Sequence, residues 1–483
     1  MTWLRKTNHT ANEPTDADPQ PVEVPALAPS GNGEHPREEP CPYLAEDETD
    51  GQANETRRSG EDWFLALKRE LHQQVIAALD VATLGTMGEE ALRAEVRRQV
   101  ELLSRSRADL LSLAERERLV SEVLDETFGL GPIETLMLDP EISDILINGP
   151  RTIYIERRGK LEKTDVAFHD QQHVLQVVQR IAAKVGRRVD ETCPMVDARL
   201  ADGSRLNAII HPLALEGPLV SIRRFGARPL SIWDLLNNGS ITPEIEQFLS
   251  ACVEARINIL ISGGTGSGKT TLLNVLSSYI PGDERVATIE DSAELQLQQP
   301  HVVRMETRPV SIEGAGEVTS RDLVRNALRM RPDRIIVGEC RGSEALDMLQ
   351  AMNTGHEGSL TTIHANTSRD ALSRLEMMVG MAGFDIPIWV IRKQVAASIN
   401  LVVQVSRLIG GVRRLVKVSE ITGMEGEVVS MHDIFEFKQT GINDKREAQG
   451  HFMATGIRPA CLSKLEAAGV QLPGELFERR IIE

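Results

Sequence analysis

The stretch Ile257-Asn258-Ile259-Leu260-Ile261-Ser262-Gly263-Gly264-Thr265-Gly266-Ser267-Gly268-Lys269-Thr270-Thr271-Leu272 decides how this 483-residue chain reads. An apolar run of strand length, Ile257 to Ser262, leads into a glycine-rich loop, and the apolar helical run Leu272 to Leu276 follows. Glycines let such a loop curl until its backbone N–H groups converge on one point, and the following helix N-terminus adds the positive end of its dipole. That is a cradle for phosphate, with Lys269 placed to reach the β and γ phosphates and the Thr270 hydroxyl to hold Mg²⁺. Gly263, Gly264, Thr265, Gly266, Ser267, Gly268, Lys269, Thr270 and Thr271 are the expected nucleotide contacts.

Downstream, short apolar runs at Val286–Ile289, Ile335–Val337 and Ser359–His364 alternate with helical patterns. Such alternation predicts a parallel sheet covered on both faces, an α/β fold. Ligands of these sheets gather at the carboxyl ends of the strands. Two runs end in acid there: Thr288-Ile289-Glu290-Asp291 and Ile335-Ile336-Val337-Gly338-Glu339. In the second, glycine stands where the usual pattern puts a metal-binding aspartate, so Glu339 is expected to carry the metal or water-positioning work. His356 and His364 flank a predicted strand, Gly358 to Ile363. Eight residues apart and without a third ligand they make a poor metal site, and they read instead as sensors of the γ-phosphate.

Outward from this unit the chain divides further. Residues 1–60 hold eight of the 23 prolines and twelve acids against five bases, the composition of a disordered acidic tail. Over 61–128, Trp63, Leu67, Leu71, Val75 and Leu79 recur at helical spacing. Ala91–Leu103 and Glu115–Phe128 repeat the pattern, with Gly85, Gly88 and Ser112 as punctuation. The result is a three-helix bundle, either a docking module or a unit packed on its own chain. Gly129-Leu130-Gly131-Pro132 stops the last helix. Residues 129–228 then read as an α+β domain, with strands at Ile142–Asn148, Arg151–Glu156 and Val220–Phe225 and a helix at Gln171–Lys184. A linker over 229–240, the α/β unit over 241–430 and an extension over 431–483 complete the division, and no repeat recurs at a fixed period.

The net charge of -17, from 71 acids against 54 bases, opposes sequence-independent binding to nucleic acid. Arginine outnumbers lysine 43 to 11, and Arg187, Arg188, Arg199, Arg205, Arg223 and Arg224 cluster in the α+β domain. They suit a solvated face, a local nucleic-acid patch, or arginine fingers aimed at a phosphate. No apolar run approaches the roughly 20 residues of a membrane span, and no secretory signal opens the chain, so a cytoplasmic protein is expected. Cys41, Cys193, Cys252, Cys340 and Cys461 form no paired spacing and read as reduced thiols rather than a zinc site.

In order along the chain, the glycine-rich loop, the acidic box ending Glu290-Asp291, the strand ending Val337-Gly338-Glu339 and the histidine box Gly355-His356 to Ile363-His364 resemble the type II/type IV secretion ATPases. The resemblance covers about residues 128–440, and Ser143-Asp144-Ile145-Leu146-Ile147-Asn148-Gly149-Pro150 is similar to the branch that assembles tight-adherence (Flp-type) pili. It implies a RecA-like P-loop NTPase domain preceded by a PAS-like α+β domain, with ATP and Mg²⁺ as cofactors. It also implies a homohexameric ring peripheral to the inner membrane, acting on pilus platform proteins, without a stable nucleic-acid partner. By the same resemblance Glu290 is the general base, Glu339 the Walker B glutamate, and Arg205 and Arg223 approach the nucleotide from their own subunit or a neighbour's. The scattered cysteines lack the four-cysteine zinc insertion of the type II secretion and thick-pilus extension branch. The helical bundle departs from the short type IV secretion ATPases. A non-catalytic nucleotide switch and a type IV secretion or DNA-transfer ATPase are the alternatives.

Overall fold

The computed structural model describes residues 89–105, 111–157, 159–224, 229–308, 310 and 316–482, with eight single positions between 63 and 75. The expected acidic tail, most of the first helix of the bundle and the glycines at 85 and 88 lie outside the described residues. Two compact units are separated at Leu67, and the helices from Glu89 on and all the described strands belong to the second, which starts at Lys68.

Two expected helices form at Glu89–Arg105 and Leu113–Phe128. Ser112 starts the latter through a capping box: its hydroxyl accepts from the Glu115 amide, and the Glu115 carboxylate accepts from the Ser112 amide. Two of the orphaned donors of a helix start are thereby satisfied. The far end is held from another element. Arg180, on the helix Gln171–Lys184, donates to the carbonyls of Glu126, Thr127 and Gly129, where a cation meets the negative end of the dipole.

That helix covers a six-stranded sheet. Its strands are β1 Ile142–Asn148, β2 Ile153–Arg157, β3 Lys160–Lys163, β4 Met195–Arg199, β5 Arg205–Ile209 and β6 Leu219–Arg223, in the order β3-β2-β1-β6-β5-β4. All pairings are antiparallel. Strand alternation sends Val196, Leu206, Ala208, Val220 and Ile222 inward onto Val174, Val177, Val178 and Ile181 of the helix.

The second sheet has ten strands: β7 Ile259–Gly263, β8 Val286–Glu290, β9 Val302–Glu306, β10 Arg334–Val337, β11 Leu360–His364, β12 Leu401–Arg407, β13 Arg413–Glu425, β14 Val428–Ile442, β15 Ala448–Ala454 and β16 Arg480–Ile482. Their order is β16-β15-β14-β13-β12-β7-β11-β10-β8-β9. From β12 to β9 every neighbour is parallel, and helices cover two separate cores on the faces. β7, β8 and β10 are buried at every residue, as a sheet covered on both faces requires. β9, an edge strand with half-exposed residues, and β12 join the four runs read from sequence.

Beyond β12 the sheet continues antiparallel. Residues 431–483, set apart as an extension by their glycine and charge, instead contribute most of β14 and all of β15 and β16. Phe435, Phe452 and Phe477 lie in the same core as Phe248 of the helix Pro243–Glu254, with ring centroids of Phe248 and Phe477 5.6 Å apart. The few apolar side chains of this segment are spent on a core that earlier residues began, so no independent apolar pattern marks it.

Candidate functional site

Four chain segments meet at the carboxyl ends of β7, β8, β10 and β11. The parallel register sets Gly263 opposite His364 and Val337 opposite both Ile289 and Thr361, so the loop after β7, Glu290, Glu339 and His364 arrive at one level. After β7 the chain turns through Gly266 and Gly268 and enters the helix Lys269–Ser277. Gly268 is the helix N-cap at φ +97°, a conformation that costs other residues a clash at Cβ.

Lys269 is buried, and its ammonium donates to the Gly264 carbonyl at 3.0 Å. It also meets His364 Nδ1 at 3.3 Å, while His364 Nε2 stands 2.9 Å from Glu339 Oε1. Lysine can only donate, so Nδ1 accepts and the proton of a neutral imidazole lies on Nε2, donated to Glu339. Burial lowers the pKa of His364, with help from the positive charges of Lys269, Arg341 and Arg374 and against Glu339, which keeps the ring neutral. Burial likewise pulls the Lys269 ammonium down to about 8, and Arg223, Arg341 and Arg374 add to it against Glu339. Burial alone would push the Glu339 carboxyl up. The Arg341 guanidinium, 2.8 Å from Oε2, outweighs it together with His364 and Lys269, and holds the carboxyl below its ordinary range.

Glu290 is buried, and its Oε2 accepts from the amides of Glu294 and Leu295 at 2.7 and 2.8 Å. Its Oε1 is buried with no hydrogen-bond partner among the described residues. Burial raises its pKa despite those two bonds. A buried carboxylate oxygen left without a donor is costly, and a water or ligand donor at that oxygen removes the cost. The glycine at 338 has its reason here. A Cβ at that position would stand 2.9 Å from Glu290 Cγ, so the place an aspartate takes in the usual pattern is filled by Glu290 from the neighbouring strand.

On the other side of the loop, Thr270, Thr271, Asn274, Glu294, Arg205 and Arg223 line a cleft of about 370 Å³ between the two sheets. Arg205 is paired with Glu294 at 2.8 Å, and Arg223 lies 3.8 Å from Asp144. Both arginines thus reach the cleft of their own chain. Arg224 lines the same cleft and donates to the carbonyls of Asp139 and Ile142. The other three arginines do not line it: Arg199 pairs with Glu306, Arg188 with Asp190, and Arg187 donates to the Asp197 carbonyl.

The two histidines separate. His364 ends β11 at the loop, whereas His356 precedes Leu360, the first residue of that strand, and so lies at the opposite edge of the sheet with its amide on the Ala351 carbonyl. A strand carries its two ends to opposite edges, so the expected role of His356 at the phosphates does not hold. Arg341 was not singled out by sequence, although it bridges Glu339 and, at 3.7 Å, Asp291. Its place two residues beyond a strand-end acid was the available signal. Arg407 and Arg413 were missed as well; they flank the turn at Gly410-Gly411, and Arg413 Nε donates to the loop carbonyl of Gly266 at 2.9 Å.

Hydroxyl and carboxylate oxygens suit Mg²⁺, which keeps several waters and takes few protein ligands. Thr270 and Glu339 fit that donor set, Glu339 through water, because His364 and Arg341 already take its oxygens.

Residues 126–450 match the family model of the type II/IV secretion system protein. This chain belongs to that family of secretion ATPases. A Mycobacterium tuberculosis member, provisionally named for conjugal transfer, is 37% identical over 309 residues, 63% of this chain and 87% of that one. The conjugal transfer protein TrbB of Rhizobium radiobacter is 32% identical over 319 residues, 65% of this chain and 94% of that one. Among solved structures, the family's VirB11 ATPase from Brucella suis, in complex with sulphate, is 30% identical with a TM-score of 0.33, over 61% of this chain and 97% of that chain. In this secretion ATPase the glycine-rich loop and the strand-end acids Glu290 and Glu339 meet at the carboxyl ends of adjacent parallel strands.

Proposed function

We propose that this chain hydrolyses Mg-ATP as a homohexameric ring and drives assembly of a tight-adherence pilus, or assembly and retraction, through platform proteins of the inner membrane. The observation that carries the catalytic part is the meeting of Lys269, His364, Glu339 and the half-satisfied Glu290 at the ends of adjacent strands. Lys269 turns from the Gly264 carbonyl to the β and γ phosphates. Glu290 Oε1 takes the proton of the attacking water, a task its raised pKa suits. His364 stands between Lys269 and Glu339 and registers whether the lysine is engaged. Arg205 and Arg223 approach from the six-stranded sheet. Thr270 and, through water, Glu339 would hold Mg²⁺, which when bound would supply positive charge to the phosphate oxygens.

The pilus branch is supported by Ser143–Pro150 and by the spacing of the cysteines, which offers no zinc insertion. Among the described residues no helix is long and apolar enough to cross a membrane, in keeping with a peripheral place at the inner membrane through partners. The acidic net charge speaks against a stable nucleic-acid partner. Transfer of DNA or effectors by a type IV secretion system is the second reading, favoured by the conjugal-transfer names of two relatives.

Steady-state phosphate release across a range of protein concentrations tests the motor. Specific activity that rises with concentration supports a site completed in a ring, and nucleotide binding with no turnover converts the reading to a nucleotide switch. In the source cells, Lys269→Ala separates the two destinations: loss of surface pili supports the first, and loss of plasmid transfer with pili intact supports the second.

A further inference from the structure

Outside the catalytic group, the richest cluster of charge lies where the six-stranded sheet touches the phosphate loop. Glu156 on β2 is mostly buried, and its two oxygens face two guanidinium groups of the ten-stranded sheet: Arg407 at 3.6 Å and Arg413 at 3.9 Å. Arg407 also donates to the carbonyl of Gly159 in the β2–β3 turn. Arg413 holds the Gly266 carbonyl of the loop, and the Arg407 guanidinium lies beside Gly266, in ordinary contact distance of 3.5 Å from where a Cβ would stand. One carboxylate is therefore shared by two arginines that border a phosphate-binding loop. Arg223 adds a third positive charge, felt by both Lys269 and Arg413. Glu156 and Asp144 are the acids that pair with these three arginines among the described residues. The cluster keeps an excess of positive charge beside the place where phosphate is expected, and a phosphate group accepts from arginine in the same forked geometry as a carboxylate.

We propose that Arg407 and Arg413 are phosphate-binding residues, and that Glu156 competes with the nucleotide's phosphates for them. Phosphate arriving at the loop takes over the guanidinium groups, and the β2–β3 hairpin loses its hold on the loop. Nucleotide occupancy is then coupled to the contact between the two sheets through three side chains. The competition rests on the reading of this loop as the nucleotide site.

Binding of a fluorescent ADP, N-methylanthraniloyl-ADP with Mg²⁺, to the full chain tests it. Because the competitor is a partly exposed ion pair, Glu156→Gln is expected to tighten ADP binding about two- to fivefold. Arg413→Ala and Arg407→Ala are each expected to weaken it by about tenfold, the loss of one charge-assisted contact, and Arg413→Lys to recover part of that. In Arg413→Ala, the Glu156→Gln gain should shrink, because half of the competition is gone. Hydrogen exchange of the β2–β3 turn amides should speed up when ADP binds. If Glu156→Gln leaves binding unchanged or weaker while Glu156→Asp behaves as wild type, Glu156 is a structural ion pair and the proposal falls. It falls equally if ADP slows exchange in the turn. Lys269→Ala guards the premise: ADP binding that survives it overturns the nucleotide site itself, whereas its loss together with an inert Glu156→Gln overturns the competition alone.

Discussion

Aspartate at 338 would restore the acid that the common nucleotide-hydrolase pattern carries, and the structure predicts that Gly338→Asp lowers turnover rather than raising it. Any Cβ at 338 stands 2.9 Å from Glu290 Cγ, whereas ordinary contact begins near 3.4 Å. Glu290 must yield by several tenths of an ångström. Its freedom to do so is small, since Oε2 is pinned by two backbone amides and the residue is 4% exposed. Overpacking of this kind costs about 1–3 kcal/mol, and hydrogen bonds to a charged group about 1.5–3 kcal/mol each. The cheaper response is rotation of the carboxylate, which misplaces Oε1, and a displacement near 1 Å at a reacting group costs about a hundredfold in rate. Gly338→Ala should therefore lower kcat by about ten- to a hundredfold with ADP affinity within about twofold of wild type. Gly338→Asp should do worse, because a second carboxylate is forced beside a buried one. Steady-state phosphate release gives kcat, fluorescent ADP titration the affinity, and a thermal melt shows that both variants remain folded. A folded Gly338→Asp protein with wild-type or faster turnover would refute the reasoning, for it would mean that the aspartate fits and that Glu290 does not need its place.

Lys269→Ala should abolish detectable ADP binding. In the wild-type protein, affinity should fall as pH rises through about 8, by up to about tenfold per unit, because the ammonium that holds phosphate is lost there; titrations from pH 6.5 to 9.5 check the slope. Glu290 acts unprotonated, and burial raises its pKa, so the acid limb of the kcat profile should lie above the ordinary carboxylate range. Glu290→Gln should remove turnover while sparing ADP binding, and a profile with its limb at ordinary carboxylate pH would reject Glu290 as the base. Phe435→Ala should destabilise the whole α/β unit by about 3–5 kcal/mol, read as one cooperative transition in denaturant; a separate early transition of residues 431–483 would show that they fold apart.

Much of this site was legible because its parts are local. A strand, a glycine-rich turn and a helix start follow one another within Ile259–Ser277, so the phosphate loop needs no distant contact to be recognised. Glu290 and Glu339 could be found the same way, as acids ending buried apolar runs. The helix break at Ser112 and the helix Gln171–Lys184 were likewise set by near neighbours.

What sequence left open depends on residues that meet across the sheet. Gly338 reads as a lost aspartate until the pairing of β8 with β10 shows Glu290 in its space. His356 and His364 look equivalent eight residues apart, yet β11 carries one to the loop and the other to the far edge. Arg407 and Arg413 reach Gly266 because β12 lies beside β7, an adjacency between segments some 140 residues apart. Local propensity acts over a few residues, so it can specify a loop or a helix start. Strand order is settled by the burial of whole faces, and that free energy belongs to the assembled sheet rather than to any one stretch of chain.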